Sequence, residues 1–186
     1  MLLGSLALAT REQDRSSERR SFLDQLFQTS RKAFPEVEAL VYEASTSFNA
    51  QAFCIGSQKF VALFGGLAFN RRLGKDGLLF ATLHEIGHHL APGPRLTATS
   101  NLSCDCAADR WAVGQGQDVI SSCGLALDIK SALEQIETAV SELGGALSVI
   151  ADCLCSDWAR RKAALTSPLP GPLNQCERIS NLFGKT

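Results

Sequence analysis

Histidine is nearly missing from this chain: three in 186 residues, all between positions 84 and 89. Tyrosine and methionine occur once each. No excess of either charge is present, because 18 basic and 19 acidic side chains are interspersed, for a formal net charge of -1. That balance leaves no electrostatic footprint for nucleic acid and no polybasic patch for a membrane surface. No apolar run reaches the ~20 residues needed to cross a bilayer, so no transmembrane segment is expected. Residues 1–10 are apolar but few, and they lack a basic leader, which fits a secretory signal poorly. These absences point to a cytoplasmic protein, with an exported or membrane-peripheral one as the alternative. A chain of 186 residues is enough for one domain with a buried core.

Cysteine runs against this scarcity. There are seven: Cys54, Cys104, Cys106, Cys123, Cys153, Cys155 and Cys176. An odd number leaves at least one thiol unpaired, which argues against a dedicated disulfide scaffold. The two Cys-x-Cys pairs, 104/106 and 153/155, raise the question of a second metal site. On a helix that spacing puts the thiols on different faces, and zinc sites favour a two-residue spacer. Buried or redox-active thiols are the better reading.

The scarce histidines fall within L-H-E-I-G-H-H-L, residues 83–90. His84 and His88, four apart, share one face of a helix and can offer two imidazole nitrogens to one metal ion. Glu85 projects beside them, where a carboxylate can take a proton from a metal-bound water. Leu78, Leu79, Phe80, Leu83, Ile86 and Leu90 surround the motif with apolar side chains, so the helix is expected to be buried. Buried imidazoles and a buried carboxylate need partners, and a metal supplies one.

The rest of the pattern predicts an α+β domain: one helix, a small sheet, then helices. Residues 11–33 form an N-terminal amphipathic helix, with Phe22, Leu23, Leu26 and Phe27 on one side. Residues 36–64 form the sheet, with strands at 37–44, 50–54 and 59–64 and a turn at Gly56-Ser57. Residues 75–116 carry two metal-site helices, the second over 103–114 with Asn101 or Ser103 as its cap. Residues 126–184 form C-terminal helices, at 128–143, 146–165 and 177–183. The whole is read as a single domain over 1–186.

A catalytic zinc usually has three protein ligands and an open position for water. With the other two histidines placed, and His89 directed away from their face, the third ligand must be something else. In S-C-D-C-A-A-D-R-W-A-V, residues 103–113, Asp105 and Asp109 are four apart and share a helical face with Ala108 and Ala112. Those small residues let this helix lie close to the first. Asp105 is assigned to the metal, and Asp109 to holding a ligand histidine by its other ring nitrogen. Spacing alone leaves Asp109 as the competing ligand, with Glu134, Glu137 and Glu142 further off.

Asn49-Ala50-x-Ala52-Phe53, the run at 60–64, Gly66-Leu67, the histidine motif and Asp105-x-x-Ala108-Asp109 together resemble the HtpX-like gluzincin metallopeptidases. The resemblance runs from about residue 49 to 113, and weakly again near the end. It implies a zincin-like fold with a small edge-exposed sheet, a Zn2+ cofactor and a peptide or protein substrate. It also implies that Phe60, Val61, Ala62 and Leu63 offer backbone groups to an extended peptide, a strand-addition mode, and that Asn49 contacts the substrate backbone. The sequence departs from the family in three ways. The acidic ligand is an aspartate where the family has glutamate. The family's late His-Pro is replaced by Ser167-Pro168 or Gly171-Pro172, although Arg178-Ile179 remains. The family's transmembrane helices are absent.

The expected activity is zinc-dependent peptide hydrolysis. Glu85 would serve as general base and Arg178 would face the oxyanion, with Tyr42 as a more distant candidate. Two other functions use the same residues: a weak or inactive zinc-containing regulatory or binding protein, and a non-proteolytic metalloenzyme acting on a small molecule or peptide precursor, for which iron also suits the ligand set. Oligomeric state is left open by the sequence.

Overall fold

Helix α3, Lys75–Leu90, has almost no solvent side: every residue from Gly77 to His89 is buried. The computed structural model describes residues 13–93, 95–96, 101–142 and 158–166. Its elements in chain order are α1 (Ser17–Ala33), β1 (Val37–Tyr42), β2 (Ala50–Ile55), β3 (Gln58–Phe64), α2 (Gly65–Ala68), α3, α4 (Asp105–Trp111), α5 (Gln117–Ser122), α6 (Ile129–Glu142) and α7 (Trp158–Thr166). A wide, irregular turn, Ala112–Gly116, joins α4 to α5. The molecule is therefore mixed α/β, with a three-stranded sheet and mostly helices, and no described helix is long and apolar enough to cross a membrane.

α1 begins later than its amphipathic pattern suggests, because Ser16 caps it by accepting the Arg19 N–H at 3.2 Å. α3 begins at Lys75 with help from another helix. Gln135 Oε1 of α6 accepts the N–H groups of both Gly74 and Gly77, at 2.7 and 2.9 Å. In return Asp76 of α3 accepts from Asp128 N–H and Ser131 Oγ–H at the start of α6. Each helix thus satisfies orphan donors of the other. α4 starts after Cys104, which makes no side-chain cap, rather than at Asn101 or Ser103. Of the C-terminal helices read from the sequence, residues 143–157 and 167–186 lie outside the described residues.

The strand order is β1-β3-β2, with β1 parallel and β2 antiparallel to β3. This corrects one expectation. Phe60, Val61, Ala62 and Leu63 do not form an exposed edge, since β3 is the central strand and is paired on both sides. The reason was visible in its composition: a nearly unbroken apolar run suits a strand with neighbours on both sides. The Gly56-Ser57 turn, with Gly56 at φ +61, folds β2 back along β3 and puts β2 on one edge of the sheet, with β1 on the other. One face of the sheet carries Val37, Ala50, Val61 and Leu63 into the main core, where they meet Phe22, Leu26, Leu78, Leu83 and Ile86 from α1 and α3.

Candidate metal centre

One turn apart on α3, the rings of His84 and His88 bring their Nε2 atoms to 3.1 Å. Both Nδ1 atoms are already engaged. His84 Nδ1 lies 2.7 Å from Asp109 Oδ1, and His88 Nδ1 lies 2.6 Å from the backbone carbonyl of Ser103. Carboxylate and carbonyl oxygens only accept, so each Nδ1 carries its hydrogen and donates it. A ring held neutral in this tautomer presents a bare Nε2 lone pair inward. Burial, and then the neighbouring His84, push His88 down from 6.5 to about 4, so its ring is neutral at pH 7.

Asp105 completes the cluster. Its Oδ1 is 3.7 Å from His84 Nε2 and 3.5 Å from His88 Nε2. In that tautomer two lone pairs and a carboxylate oxygen face one another, and none of the three can donate to another. Left alone they repel; a cation among them turns the repulsion into binding. One ligand atom from each of the three residues lies within 4.8 Å of the others, so this His/His/Asp group could hold a metal ion. Two nitrogens and one oxygen fit the donor set of a catalytic zinc.

The close approach of α4 to α3 has a specific cause. A Cβ on Gly87 would sit 2.7 Å from the Ala108 carbonyl oxygen and 3.0 Å from its Cα. Gly87 therefore lets the two backbones come near enough for an aspartate, one methylene shorter than glutamate, to reach the histidines. Asp109, 3 % exposed, sits one turn further along and braces His84. Burial alone would raise its carboxyl. The Arg161 guanidinium and His84 outweigh this and hold it well below the ordinary 3.8. Arg161 reaches in from α7, with Nε 2.6 Å from Asp109 Oδ2 and an Nη2 2.8 Å from Oδ1, a two-pronged pairing. Its Nη1 also lies 3.7 Å from Asp105 Oδ2.

Glu85 is 1 % exposed and accepts a hydrogen bond from the backbone N–H of Ala52 in β2. The carboxylate is thus held against that edge strand. The loop after α3 closes over the same strand, where Leu96, Leu102 and Cys104 pack on Ala52. Ser103 fastens that loop: its N–H donates to the His88 carbonyl at 2.7 Å and its hydroxyl to the Ala91 carbonyl at 2.7 Å.

The structure brings His84, His88, Asp105 and Asp109 together, with Glu85 beside His84 on the same helix. His89 stands apart, its Nε2 donating to the Phe60 carbonyl at 2.9 Å. Asn49 precedes β2, buried, with an Oδ1 that has no hydrogen-bond partner. Val61 and Leu63 are core residues of the central strand. Tyr42 is 53 % exposed and packs edge-on against Phe64, away from the histidines. Arg178 lies outside the described residues. Cys104 is a buried thiol and Cys106 is disulfide-bonded, and among the described residues no cysteine joins a metal-ligand cluster.

Three contributors escaped the sequence reading. Arg161 is one, and its only local signal is an arginine pair in an otherwise alanine-rich helix. Ser103 has the composition of a helix cap, but it meets His88 through its carbonyl. Gly87 carried no signal beyond lying inside the motif. Set against protein-family models, curated proteins and solved structures, the chain matches none, so what these residues do is argued from their own geometry.

Proposed function

We propose that this chain is a zinc-dependent metallopeptidase with a zincin-like fold, related to the HtpX-like gluzincins. The observation that carries the reading is the inward convergence of two bare imidazole nitrogens and one carboxylate oxygen, with Glu85 one residue from the first histidine. A zinc ion bound there would supply a Lewis acid for the scissile carbonyl and lower the pKa of a coordinated water.

The protein's own groups perform the remaining steps. Asp109 and the Ser103 carbonyl fix both histidine tautomers, so the ligand nitrogens stay unprotonated. Glu85, anchored by Ala52 N–H, takes the proton from the attacking water and delivers it to the leaving amine. The extended peptide lies along β2, the edge strand beside Glu85, and not along Phe60, Val61, Ala62 and Leu63. The unpartnered Oδ1 of Asn49, at the head of β2, is suited to accept a substrate N–H. Arg178 is the oxyanion candidate, since Arg161 is committed to Asp109.

The test is cleavage of denatured casein. Wild-type protein should cleave it, chelator should stop cleavage, and added zinc should restore it. Glu85→Gln should keep the metal and lose about 100-fold or more in rate. Wild-type rates in Glu85→Gln would rule the mechanism out. A second reading, a zinc-containing binding protein with little or no activity, draws on the near-complete burial of Glu85. Metal bound in full with no cleavage of casein or shorter peptides would favour it.

A further inference from the structure

The two oxygens of Asp105 do not face the same neighbours. Oδ1 lies 3.7 and 3.5 Å from the Nε2 atoms of His84 and His88. Oδ2 lies 3.7 Å from Nη1 of Arg161. That arginine is buried, and one edge of its guanidinium, Nε and Nη2, is taken by Asp109. The group is planar and rigid, so docking that edge also fixes where Nη1 points. Nη1 is thus aimed at Oδ2 by the pairing with Asp109, whatever Asp105 does. At 3.7 Å the contact is an ion pair and not a hydrogen bond. With side chains only 6 % and 16 % exposed, the attraction is little screened by water.

We propose that Arg161 is a positioning residue for metal binding: it retains Oδ2, so that Asp105 offers the metal Oδ1 alone. The inference rests on the metallopeptidase reading, because its consequence falls on the coordinated water. A carboxylate with both oxygens free can bind a cation through the pair. Two histidines and such a carboxylate would fill the four positions of a tetrahedral zinc. With one oxygen withheld, three protein donors and one open position remain, the arrangement of catalytic sites. The same guanidinium, through Asp109, also fixes the ring of His84. One cation therefore orients two of the three ligands, and it does so from α7, a helix that supplies none of them.

The test is the visible spectrum of Co2+ bound to the full chain, since four-coordinate cobalt absorbs more strongly than five- or six-coordinate cobalt and the reading needs no turnover. Wild type should show the intense four-coordinate bands. Arg161→Lys keeps a cation for Asp109 but has no second prong for Asp105; it should bind Co2+ with a clear loss of band intensity as Oδ2 joins the metal. Lys162→Met is the control. It removes the 2.7 Å pair with Glu137 that ties α7 to α6, so it loosens the helix without touching either aspartate, and its spectrum should match wild type. Weak bands in wild type, unchanged bands in Arg161→Lys, or an equal loss in Lys162→Met would overturn the proposal. If circular dichroism shows Arg161→Lys unfolded, wild type still decides, intense bands supporting the proposal and weak ones overturning it. Intense bands in a wild type that never cleaves casein would remove the peptidase reading and leave this proposal standing; a chain that binds no Co2+ would overturn both.

Discussion

On one side of the three converging acceptors stands α3, wrapped in Leu78, Leu79, Phe80, Leu83 and Ile86. On the other stands α4, braced by Arg161 of α7 through Asp109. The first wall is positioned by apolar burial, which is non-directional and tolerant of small changes. The second is positioned by a buried ion pair, which is directional and leaves an uncompensated charge when one partner is removed. Two imidazoles on one helix keep their spacing whatever surrounds them. The carboxylate, by contrast, must be brought in from another helix, and it is that wall that needs the charged brace. The walls should therefore fail in different ways.

The largest effect is expected at the ligand on the braced wall. Asp105→Ala leaves two histidines and should bring metal content below stoichiometric after dialysis, read by elemental analysis, with the helical circular dichroism intact. Next is the brace itself. Arg161→Met buries the Asp109 carboxylate without its cation and should cost about 3–5 kcal/mol in denaturant unfolding; Arg161→Lys, which cannot pair in two prongs, should recover only part of it. On the apolar wall, Leu83→Ala should cost about 2–5 kcal/mol of stability. Its folded fraction should nevertheless bind metal with wild-type affinity by calorimetry, and a matching loss of affinity would erase the distinction between the walls. Smallest is Gly87→Ala, where the added methyl meets Ala108 backbone. It should cost about 1–3 kcal/mol and weaken metal binding by separating the helices, with no change in the charged groups.

The same contrast explains what could be read from the sequence. α3 was legible because its information is local: apolar flanks, no helix breaker before Pro92, and His84, Glu85 and His88 in a fixed pattern. Asp105 and Asp109 were legible as a pair for the same reason, and the structure brings both to the histidines. Arg161 was not, because it joins Asp109 across 52 residues of sequence and nothing in its own helix names the partner. The sheet was legible as three strands, but their order was not. The family resemblance implies an edge at β3, although its unbroken apolar run fits a central strand, and Ala52 of the edge strand β2, whose backbone holds Glu85, has only a methyl group with which to announce a role.

Every part of this account requires one metal ion between His84, His88 and Asp105. The direct measurement is elemental analysis of protein purified without added metal and dialysed against metal-free buffer, beside His88→Ala prepared identically. About one zinc per wild-type chain and almost none in the variant is the predicted result, as expected for a three-ligand site that loses a histidine. Wild-type protein without a stoichiometric divalent metal, or a variant that retains it in full, would contradict the account.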